Sequence, residues 1–298
     1  MKHFLFFSLL LASAPVRAQQ SEDFRIIDIA QKEIRLFNAY KDKDSAERSR
    51  VFADSLYQPY KAFWAGYMGE EENFVRWANK ALTNLYGFNQ KNGRINGGQL
   101  LRQFDVVKKG MEALTGYRPK GEWYVVYGPA WANLGGLSGG TMFIDLSHHS
   151  NSSNDAIMMM FPHEITHQIY ANVNTHHDTT ALGSIIGEGF AVYMNQLYWK
   201  KSFTLAEHLG YPEAGLRAVE EQDAAIRQFF EDNKYSADKT TIDKFRNRSF
   251  HLQPGLPGAI GYYIGYKIID AYVRKHGAES WKDVFTKSPE EIYTTSGY

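Results

Sequence analysis

The sequence predicts an α+β fold, mostly helical, with a small antiparallel sheet near the middle of the chain. Three observations predict it. Apolar residues recur at helical spacing through the first third. Two short β-rich runs then flank a glycine-rich stretch between residues 121 and 146. After Asn154 the pattern is helical almost to the end.

Residues 1–18 read as a secretory signal. Lys2 and His3 precede an apolar run from Phe4 to Ala12, and Val16-Arg17-Ala18 places small residues where a signal peptidase cuts. That run is too short to span a bilayer. From Glu22 to about Lys41, Phe24, Ile27, Ile34 and Phe37 fall near helical spacing, and further helical patterns cover roughly 44–66, 70–86 and 98–114. Residues 19–118 therefore form an N-terminal helical region, with the boundary drawn near 118. Trp123–Tyr127 and Thr141–Leu146 have strand composition, with Gly135-Gly136-Leu137-Ser138-Gly139-Gly140 between them. A helix starting near Asp155, a second from Leu182 to Leu197 and a third after Pro257 complete the 119–298 region.

Composition narrows the chemistry. The 298 residues carry 33 basic and 33 acidic side chains, a net charge of zero, so no overall field draws nucleic acid or anionic lipid. Cleavage after Ala18 would leave 31 basic residues against 33 acidic ones, a net −2. There is no cysteine, which removes disulfides, thiolate metal sites, cysteine nucleophiles and a lipidated cysteine together. No later stretch of 18 apolar residues predicts a membrane span. The expectation is an exported, soluble chain, periplasmic or extracellular, with no nucleic-acid partner. Oligomeric state is not written in the sequence.

The residues left for chemistry are concentrated in two segments. Pro162-His163-Glu164-Ile165-Thr166-His167 is an H-E-x-x-H pattern, and on a helix it places both imidazoles on one face, one turn apart. Glu164 lies about 100° round the helix, beside a bound ion rather than on it. Pro162 fits if the helix bends or begins just before the site. A site of this kind needs a third protein ligand, and Glu188, between Gly187 and Gly189 on an otherwise apolar helix, is a carboxylate too costly to bury unpaired. His163, His167 and Glu188 are therefore the candidate ligands of one zinc ion per chain, the two glycines letting the second helix approach the first. The same donor set also suits iron or cobalt.

The H-E-x-x-H pattern followed by Gly187-Glu188-Gly189-x-Ala191-x-Tyr193 resembles the gluzincin group of zinc metallopeptidases. With Pro257–Tyr266 it is similar to predicted bacterial zinc-dependent proteases related to gliding-motility-associated lipoproteins. The resemblance covers about residues 121–280 and implies a zincin-like core and a peptide or protein substrate. It implies hydrolysis by a zinc-activated water with Glu164 as general base. It further implies an oxyanion donor on a later helix, Tyr262 or Tyr263, with His251 a weaker choice. The strand Thr141–Leu146 would then be an edge that pairs with substrate. An Asp that such enzymes carry four residues beyond the ligand Glu is replaced here by Val192. Asp178, Asp145 and Asn195 are left as candidates to hold the free imidazole nitrogens. A non-catalytic envelope scaffold with this fold is the alternative, and a hydrolase of non-peptide amides or esters is a third reading. The pairs His148-His149 and His176-His177 read as solvated loop residues.

Overall fold

The computed structural model describes residues 23–137 and 140–298. The leader read from residues 1–18 lies outside them. The N-terminal half runs β1 (Phe24–Asp28), α1 (Ala30–Tyr40), α2 (Ser45–Phe52), α3 (Lys61–Met68), α4 (Glu71–Ala81), α5 (Leu85–Arg94) and α6 (Gly97–Thr115). Next come β2 (Gly121–Val126), β3 (Leu134–Gly136) and β4 (Met142–Asp145). The rest is helical: α7 (Asn154–Met158), α8 (Phe161–Val173), α9 (Ala181–Trp199), α10 (Leu205–Leu209) and α11 (Glu213–Glu221). Then follow α12 (Asp223–Asn233), α13 (Lys239–Arg246), α14 (Ile260–His276) and α15 (Pro289–Ser296).

The fold is α+β and mostly helical, but the sheet is mixed rather than antiparallel. Its order is β1-β2-β4-β3. Phe24 pairs with Gly121 and Trp123 with Met142, both in parallel; only β3 runs antiparallel, Leu134 opposite Ile144. Two misread segments account for the difference. Phe24 and Ile27 look helical at three-residue spacing, yet Phe24-Arg25-Ile26-Ile27-Asp28 extends along β2, and α1 starts only at Ala30. Gly135 and Gly136, read as part of a glycine-rich stretch, belong to the edge strand Leu134–Gly136. Thr141–Leu146 is therefore an interior strand, not the exposed edge.

Both sides of residue 118 contribute to this one sheet and to one continuous core. Phe104 lies edge-on to Trp123 and Phe161, joining α6, β2 and α8. Gln168 of α8 accepts a hydrogen bond from the Trp123 indole at 2.9 Å and donates to the Gly140 carbonyl at 3.2 Å, tying α8 to the sheet. Helix α9 is the hub of the C-terminal half, with α8, α13 and α14 packed on it. Its crossing with α14 depends on glycine: a Cβ on Gly189 would overlap the Gly265 backbone, and one on Gly265 would overlap the Ile185 carbonyl.

Candidate metal centre

The helix read from near Asp155 is two helices, and the motif lies in the second, α8. The helical pattern after Asp155 breaks at Met159-Met160, and Pro162 sits in the first turn of a new helix, where its missing N–H costs nothing. His163 and His167 follow on one face. Glu188 comes from the middle of α9, buried like its apolar neighbours.

The three side chains converge. One ligand atom from each of His163, His167 and Glu188 lies within 4.8 Å of the others. The two imidazole Nε2 atoms are 3.1 Å apart. Glu188 Oε2 lies 3.2 Å from His167 Nε2 and 3.6 Å from that of His163. Three lone-pair atoms aimed at one point repel unless a proton or cation sits among them. Two imidazole nitrogens and a carboxylate oxygen are a donor set that zinc accepts.

Charge around Glu188 is strongly organised. Burial pushes its carboxyl up, but the His167 and His163 imidazoles and the Arg246 guanidinium outweigh that and hold it well below the usual range. Burial opposes the charged form of His167, and the Glu188 carboxylate more than reverses this. Arg246, at the end of α13, meets Glu188 Oε1 at 3.2 Å, leaving Oε2 to the histidines. Arg246 was not anticipated from sequence; its only signal was a basic residue in a helix's last turn.

The remaining candidates divide. Glu164 is buried in the first turn of α8 and lines the same cleft, about 380 Å³ in volume, as the three ligands. Tyr262 lies there too, its ring parallel to that of His163 at 6.0 Å and capped by the Arg248 guanidinium at 4.8 Å. Tyr263 does not; it is buried on another face of α14, its hydroxyl 3.4 Å from Asp223. His251 faces the Leu256 carbonyl at 2.7 Å and lines a different cleft.

None of the suggested partners for the imidazoles reaches them. Asp178 caps Thr180, and Asn195 meets His208 Nδ1 at 3.1 Å, where burial pushes the His208 pKa down to about 4. Asp145 is committed to the Gly128–Ala130 loop. His163 Nδ1 is buried without a hydrogen-bond partner among the described residues. His148 and His149 pack ring on ring at 4.3 Å, and His176 meets the Thr286 carbonyl, all away from the cleft.

A helical α+β chain in which two adjoining helices bring two histidines and a glutamate together carries, as a class, a donor set of the kind a divalent cation accepts. The match to family models is more particular. Residues 150–298, half of the chain, match the model of the gliding motility protein GldB, and the chain belongs to that lipoprotein family. No curated protein matches it.

This finding corrects the resemblance to a gluzincin metallopeptidase. The matched family is one of gliding motility lipoproteins, so the assignment as a zinc metallopeptidase, a hydrolase with a peptide substrate, is withdrawn. The scaffold alternative agrees with the family better. A lipoprotein family is exported and envelope-associated, in keeping with the leader read from the sequence. No described helix is long and apolar enough to cross a membrane.

Proposed function

We propose that this chain is a non-catalytic, envelope-associated scaffold of the gliding machinery, and that one zinc ion held by His163, His167 and Glu188 fastens its C-terminal half. The observation that carries the reading is the family match over 150–298, a span that contains all three ligands. Zinc would supply charge: it compensates a carboxylate and two imidazoles that otherwise face one another, and it links α8 to α9. Arg246 holds the second carboxylate oxygen, so Glu188 offers a single atom to the ion. Glu164 has a structural place as an acid in the first turn of α8, where the helix dipole favours negative charge.

The test is metal content and stability of the mature chain purified without added metal or chelator. About one zinc per chain is expected, with a loss of roughly 3–4 kcal/mol on chelation, the size expected for a ligand present far above its Kd. His167→Ala should abolish occupancy. A chain that takes up no zinc, or melts identically with and without chelator, would remove the structural ion. Gliding that persists unchanged after deletion of the chain would remove the scaffold role.

A further inference from the structure

The C-terminal ends of the parallel strands carry a second cleft that shares no lining residue with the metal centre. It is about 670 Å³, within the range of small-molecule sites, and is bounded by α4, the loop after β2 and the loop after β4. Ligands of open sheets with parallel strands commonly bind at this end.

The two loops are locked in place. Asp145 Oδ1 accepts the Gly128 and Ser147 N–H groups at 2.8 and 2.9 Å, and Oδ2 accepts the Ala130 N–H at 2.7 Å and the Tyr67 hydroxyl at 2.8 Å. Gly128 has no room for a Cβ against that carboxylate. Lys91 Nζ donates to the carbonyls of Leu146, Ser147 and His148 at 2.9, 2.7 and 2.7 Å. Ala130 is nevertheless held at φ +61°, a left-handed conformation that a non-glycine residue adopts at a cost. The strain places the next residue, Trp131, on the cleft rim with 66% of its surface exposed, its ring edge against Tyr67 at 5.8 Å.

The lining has a definite chemistry. Arg76 and Lys80, one turn apart on α4, are its charged groups, and among the described residues no acidic side chain lines the cleft. Neither forms an ion pair with a carboxylate among the described residues. Asn73 and Asn84 add side-chain amides.

We propose that this cleft binds an acidic saccharide, a sugar ring lying on Trp131 with its carboxylate toward Arg76 and Lys80 and its hydroxyls toward the amides. The C–H face of a sugar ring suits an exposed indole, vicinal hydroxyls suit amide groups, and a carboxylate suits two unpaired cations.

The experiment is calorimetric titration of the mature chain with trigalacturonate, alongside neutral cellotriose and the phosphate-bearing ring compound ADP, with tryptophan fluorescence as a second readout. Trigalacturonate should saturate with a Kd below about 1 mM and at least about tenfold tighter than the other two. Trp131→Ala, at an exposed position that leaves folding intact, should weaken it at least about tenfold. Arg76→Gln with Lys80→Gln should erase the preference over cellotriose, and His167→Ala should leave binding unchanged. No saturation by trigalacturonate, equal or tighter binding of cellotriose or ADP, or indifference to Trp131→Ala would each overturn the proposal.

Discussion

Glu188 and Asp145 are both buried carboxylates beneath a cleft, and their surroundings push them in opposite directions. Glu188 faces two imidazoles and a guanidinium and is held well below the usual carboxyl range despite its burial. Asp145 faces neutral donors, three backbone N–H groups and a tyrosine hydroxyl, and burial still raises it. Neutral donors position a carboxylate without neutralising it. That suits a clamp whose task is to fix loop geometry. Imidazoles and a guanidinium supply charge as well, and where two imidazoles and a carboxylate meet at one point they also define a place for an ion. The C-terminal half is thus organised by charge and the sheet end by hydrogen-bond count.

Removing one acceptor at the sheet end should have the largest effect. Asp145→Asn keeps the shape but turns one acceptor oxygen into a donor, so at least one backbone N–H loses its acceptor, the Tyr67 hydroxyl being able to turn and accept instead. An unsatisfied buried donor costs about 1–3 kcal/mol, so denaturant melts should show a loss of about 2 kcal/mol. The zinc content of the variant should not change. A loss below about 1 kcal/mol would mean that the loops after β2 and β4 do not depend on this clamp.

Glu33 carries the same comparison to a smaller effect. Its carboxylate accepts the Tyr127 N–H at 2.7 Å, while its other oxygen is buried without a partner among the described residues. Burial, aided by the nearby Asp145 charge, holds this carboxyl well above 4.5. A folded-state pKa above the unfolded one means the contribution is complete below about pH 4.5 and is lost as pH rises toward the folded value. Glu33→Gln, which cannot titrate, should therefore gain on the parent as pH rises above about 4.5, the gap between the two stability–pH curves widening toward the folded-state pKa. Parallel stability–pH curves for the two chains would show that Glu33 does not titrate differently on folding.

The convergence of His163, His167 and Glu188 was legible in the sequence because its signals are local. Two histidines four apart mark one helix face, and Glu188 is conspicuous as a carboxylate in an apolar helix. Its glycine neighbours were legible as close-approach residues, but toward the wrong partner. Gly189 meets Gly265 of α14, and a Cβ on Gly187 would meet nothing within 4 Å. The sheet end was not legible. Asp145 looks like an ordinary strand terminus, and nothing in Gly128-Pro129-Ala130-Trp131 announces that four donors from three segments gather on it. Such signals are tertiary: they exist only once β1, displaced from its helix-like reading, has brought the N-terminal helices alongside β2.

Glu164 should give the smallest effect, and that makes it the sharpest test of how the C-terminal cleft is used. Beside a metal, a carboxylate is either a proton acceptor or part of the helix's first turn. Only the first role requires an ionisable group. Glu164→Gln removes the charge, keeps the side chain's size, and replaces none of the three ligands. A scaffold should tolerate it: zinc content unchanged, stability within about 1 kcal/mol, the scale of a helix-dipole interaction. Cells deleted for the chain should glide as well with the variant as with the parent. If zinc and stability were intact and gliding were lost, the carboxylate would have a task that a scaffold does not need. If zinc were lost instead, Glu164 would belong with His163, His167 and Glu188 as part of the centre's charge balance.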